Sequence, residues 1–67
     1  MSIPTPDDML YAAGALRDEA DALDMALKAT HAPNSVGAQH FVNRRDSLRR
    51  AASYLNQQAL QLHRRAS

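Results

Sequence analysis

Two adjacent arginine pairs, Arg44-Arg45 and Arg49-Arg50, form the densest charge cluster in the chain. On a helix, that spacing could grip the phosphates of a nucleic acid or a nucleotide through charge-assisted hydrogen bonds. It could equally meet carboxylates on a neighbouring helix, and Asp18, Glu19, Asp21 and Asp24 supply them. Aromatic residues make up only 4% of the chain, too few for a base-stacking platform, so the internal pairing is preferred.

The other reactive side chains point to no catalytic chemistry. His31, His40 and His63 are the only softer metal ligands; no ligand spacing recurs among them, and there is no cysteine. They read as surface histidines. Ser35, Ser47 and Ser53 have no base and orienting group arranged beside them, and the paired carboxylates fall on an exposed helix face instead of a pocket. The chain is therefore expected to be neither an enzyme nor a cofactor carrier.

The elements that hold these groups are two helices. With 67 residues, a net charge of +1 and 45% apolar residues rich in alanine, the chain is one small all-α unit. No apolar run approaches a membrane span, and the N-terminus lacks a signal-peptide pattern. A cytoplasmic location is expected, or export with a partner by a route that reads no signal peptide.

Thr5-Pro6-Asp7-Asp8 is a helix start, with Thr5 as N-cap and Pro6 at the first helical position. Asp8 stands where a capping box wants Glu or Gln, so that motif is expected to be partial. Met9, Ala13, Leu16, Ala20, Leu23, Leu27 and Thr30 then alternate in steps of four and three, which predicts a heptad seam on a helix over 6–31. Gly14, one place beyond the seam, is either tolerated or marks close approach by another backbone. A turn over 32–35 follows. Pro33 disfavours helical geometry at Ala32, and Asn34 or Ser35 can cap what comes next.

The second helix is expected over 36–66. Phe41, Leu48, Leu55 and Leu62 recur every seven residues, with Ala38, Ala52, Ala59 and Ala66 between them. So short a turn makes the helices antiparallel, and one register sets large residues against small ones. Met9 meets Ala59, Ala13 meets Leu55, Leu16 meets Ala52 and Ala20 meets Leu48. Leu27–Phe41 is a wide layer by the turn, followed by Thr30–Ala38. Arg45 faces Leu23, where its stem could cover the leucine while its charge reaches water.

Charge agrees with that register. The first helix carries six carboxylates against two cations, net −4; the second carries six arginines against Asp46, net +5. The hairpin leaves Leu10, Tyr11 and Met25 off the first seam, and Val42, Tyr54 and Leu60 off the second. Together these predict a second apolar interface, with a helical partner or another copy completing a four-helix or larger bundle.

Two resemblances bear on function. Ser35, Ala38, Phe41, Leu48, Leu55 and Leu62 stand in the relative places of the turn and second-helix seam of WXG100 (ESAT-6-like) hairpins of type VII secretion. Pro33 occupies the tryptophan place of that family, and Tyr54 is followed at the fourth place by Gln58 instead of the acidic residue of its export signal. The resemblance thus implies a partner subunit, pairing in a four-helix bundle with a mate that carries the signal. Leu48, Ala51, Tyr54 and Asn56, after Pro33-Asn34-Ser35, resemble phage anti-CBASS sponges. That likeness implies an oligomer holding cyclic nucleotides between subunits, with Arg44, Arg45, Arg49 and Arg50 as the candidate anion site.

Overall fold

A computed structural model of the chain describes residues 2–30 and 34–66, with the side chain of Ala66 outside that description. It contains two helices, α1 (Pro6–Ala29) and α2 (Val36–Ala66), packed against one another as a hairpin. The all-α fold is as the heptad pattern predicts. The molecule is elongated, measuring 50 × 22 × 13 Å along its principal axes.

The helix ends follow from local hydrogen bonding. Thr5 is extended and caps α1: its Oγ1 accepts from the Asp8 amide at 3.1 Å, and its own amide donates to Asp8 Oδ2 at 3.0 Å. The capping box is therefore complete, not partial, because the shorter aspartate still reaches back to the cap amide. The bond from the Thr5 amide, with a smaller contribution from the Thr5 hydroxyl, holds the Asp8 carboxyl below its usual range. Ser35 caps α2, accepting from the Ala38 amide at 3.1 Å through its hydroxyl and from the Gln39 amide at 3.0 Å through its carbonyl.

α1 ends earlier than the 6–31 span expected. Thr30 is extended, with ψ near 144°, and its amide donates to the Leu27 carbonyl at 3.3 Å. A β-branched residue leaves a helix easily at such a point. The remainder of that span, His31, and the Ala32-Pro33 part of the turn lie outside the described residues.

The core is made of alanine. Ala20, Ala52 and Ala59 are fully buried, and Ala13 and Ala38 nearly so. No large side chain is fully buried among the described residues, and Met9, Leu16, Leu23, Leu27, Leu48, Leu55 and Leu62 are half-buried. Alanine at the contact lets the two backbones approach, and the longer apolar side chains wrap the edges of that contact.

One expectation needs correction, and one open alternative is decided. Phe41 remains 44% exposed, and with Leu27, Thr30 and Ala38 it lines a half-open pocket of about 260 Å³ beside the turn. The one layer that opposes two large residues is the layer that does not close. Gly14 is exposed, and a methyl group added there would meet nothing within 4 Å, so no backbone approaches it closely.

Opposite stability effects should result at these two sites. Ala20→Leu places bulk in a closed backbone contact and should destabilise the hairpin by about 1–3 kcal/mol. Gly14→Ala adds helix propensity in open space and should stabilise it by about 1 kcal/mol or less. Urea unfolding followed by circular dichroism reads both; an unchanged midpoint for Ala20→Leu would mean the core lies elsewhere.

Candidate interaction surface

Three of the four clustered arginines reach across to α1. Arg44 donates to Glu19 Oε1 through Nε at 3.1 Å and also through Nη2. Arg45 Nη1 lies 2.8 Å from Asp24 Oδ1, and Arg49 Nη2 lies 3.8 Å from Asp21 and 3.9 Å from Asp24. Arg50 instead donates to Ser47 Oγ on its own helix at 3.1 Å. The acidic stretch of α1 thus takes up most of the cluster, but not in strict antiparallel order, since Arg44 reaches Glu19 while Arg49 lies near Asp21 and Asp24.

Arg45 behaves differently from the expected snorkelling side chain. Its side chain is only 21% exposed, and its guanidinium lies between two carboxylates: Nε donates to Asp46 Oδ1 at 3.1 Å while Nη1 donates to Asp24. A seam position next to two acidic residues holds the charge at the helix–helix boundary instead of sending it to water. Asp46 first, and Asp24 with it, push the Arg45 value further up. In return, the hydrogen bond from Arg45 holds the Asp24 carboxyl below its ordinary range, with Lys28 at 3.4 Å and Arg49 contributing less.

The sign of the pH effect follows. A depressed aspartate contributes stability above its unfolded value, near 3.8, and loses that contribution as pH falls through the lower folded value. Asp8 adds to the trend in the same direction.

The expected apolar surface is distributed unevenly. Tyr11 is 80% exposed and Met25 71%, with Tyr54 and Leu60 more than half exposed and Leu10 less so. Val42 is half-buried, so it belongs to the edge of the hairpin contact more than to an outer face. Near the turn, the covered edge of α2 shifts from Phe41 towards Val42. Sequence reasoning missed the exposure of Val36 and Phe41. Val36 could have been found from its place at the very start of α2, before any partner residue of α1 lies opposite it.

Among the described residues there is no group of three His, Cys, Asp or Glu side chains placed to hold a metal. No described helix is long and apolar enough to cross a membrane. Compared with protein-family models, curated proteins and solved structures, the chain has no match.

Acid titration checks the Arg45–Asp24 bridge. The thermal midpoint should fall as pH drops from about 5 to about 2. Asp24→Asn should start from a lower midpoint at neutral pH and show a shallower acid slope, with the remaining slope due largely to Asp8. An undiminished slope in Asp24→Asn would place the acid-sensitive pair elsewhere.

Proposed function

We propose that this chain acts by binding, as a helical hairpin that completes a bundle with a partner chain. The observation that carries this reading is the core itself. Five small alanines are its buried residues, no large side chain is fully buried among the described ones, and Tyr11, Met25, Tyr54 and Leu60 stand in solvent. Burial of about 25 cal/mol per Å² of apolar surface makes such a hairpin poorly self-sufficient, and burying the outer apolar residues is the available source of further stability. The partner role proposed is that of a WXG100-like subunit in type VII secretion, paired with a helical mate that carries the export signal.

The arginines weigh against a nucleotide sponge as the working model. Arg44, Arg45 and Arg49 each have carboxylate partners on α1, so an anion would have to compete with those pairs.

The experiment is native mass spectrometry, at micromolar protein and moderate salt, on the chain alone and on the chain expressed with its genomic neighbours. A 1:1 complex with a neighbouring helical chain supports the secretion role, and self-association supports the bundle reading without that role. A stoichiometric bound cyclic nucleotide would replace it with the sponge reading. A bare monomer under every condition would overturn the binding function altogether.

A further inference from the structure

Beyond its seam, α1 carries a second heptad run on the opposite side. Tyr11, Ala15, Asp18, Ala22, Met25 and Ala29 follow each other in steps of four and three, the same alternation as the seam that packs on α2. All six are exposed. The run spans about 27 Å of helix at 1.5 Å per residue, so it is a continuous stripe and not scattered residues.

We infer that this stripe is a self-pairing surface, on which α1 of a second copy lies antiparallel. The inference rests on the bundle-completing function proposed above, with a second copy in the place given there to the secretion mate. Self-complementarity favours a second copy, and the exposed area leaves room for one.

In an antiparallel pair, Tyr11 falls against Ala29 of the second copy, Ala15 against Met25 and Asp18 against Ala22, and two-fold symmetry repeats each layer in reverse. Both bulky apolar residues meet an alanine, as in the hairpin's own seam, and this register uses all six positions of the stripe. Shifting by one heptad either way sets a large residue against a position outside the stripe. An isologous contact of this kind closes as a dimer and leaves no open end.

A compact monomer of 7.4 kDa exposes about 4,200 Å² by the usual mass scaling, whereas this chain exposes 5262 Å². The surplus, about 1,000 Å², is close to the roughly 800 Å² that each partner buries in a standard interface.

Asp18, Glu19 and Asp21 all oppose self-pairing, since this register sets Glu19 of each copy against Asp21 of the other. Glu19 and Asp21 each lie near an arginine of α2, Arg44 and Arg49, whereas Asp18 lies within the stripe itself. The two copies of Asp18 would lie about 6 Å apart along the axis, near one another in the partly dry centre of the contact. That makes it diagnostic. A second copy is repelled by Asp18, while a foreign partner with a basic residue in this place would be held by it.

The chain has no cysteine, so single-cysteine variants report the register cleanly. Ala15→Cys mixed with Met25→Cys should form a disulfide-linked heterodimer under mild oxidation. Either variant alone should not link, because like positions lie about 15 Å apart along the axis. By sedimentation, Tyr11→Glu should weaken the dimer at least tenfold with helicity unchanged, and Tyr54→Glu should leave its mass unchanged. Asp18→Ala should tighten it by roughly three- to tenfold.

A dimer that fails to cross-link in the mixture, or that Tyr54→Glu disperses and Tyr11→Glu does not, overturns this interface and leaves the binding function standing on another face. A monomer at tens of micromolar also overturns it, and the binding function then depends on a different chain. Weaker self-association of Asp18→Ala also overturns this interface, because Asp18 would then be held and not repelled where the copies meet.

Discussion

Alanine against the facing helix is the constraint on which the rest of this structure depends. Because the buried side chains are Ala13, Ala20, Ala38, Ala52 and Ala59, the two backbones can pack closely along most of α1. The leucines are then held at the edges, half-buried, and cannot fill a shared interior. Close approach gives good dispersion contact over a narrow strip but removes little apolar area from water per residue. A hairpin built this way is well specified in register and short of burial. Both properties come from one choice of residue.

Electrostatics reinforces the register without supplying the missing stability. The pairs Arg44–Glu19 and Arg49–Asp21 are largely exposed, and such pairs contribute about 0–1 kcal/mol each. Their value lies in direction, since a reversed or slipped pairing would put acidic and basic stretches out of step. Arg45 stands apart because it occupies a seam position. Its guanidinium is satisfied by Asp24 and Asp46, so the one polar interruption of the heptad becomes a fixed point of the contact instead of a gap in it.

This arrangement also limits the chemistry available. Arginines committed to neighbouring carboxylates are poor candidates for gripping an incoming phosphate. The apolar residues that α2 does not cover, by contrast, are accessible and follow a helical period on α1. On the proposed binding reading, the question is which surface gets covered, and the outer stripe of α1 has the spacing for another helix.

Much of the fold was legible before any coordinates. The heptad steps, the Thr5 cap, a second cap at Asn34 or Ser35 and the match of an acidic helix to a basic one are all local or periodic signals, and periodicity survives translation into three dimensions. So did the general location of the outer apolar residues, Tyr11, Met25, Tyr54 and Leu60. Tertiary structure alone decided the finer distribution. It left Phe41 in the open while half-covering Val42, because the wide layer beside the turn cannot close over two bulky side chains. It also brought Arg45 onto Asp24 and Asp46, and it put empty space beside Gly14. Each of these depends on how far apart the two backbones sit at one particular layer. A sequence pattern names the residues of a layer but not its width, since that distance is set jointly by every side chain between the helices.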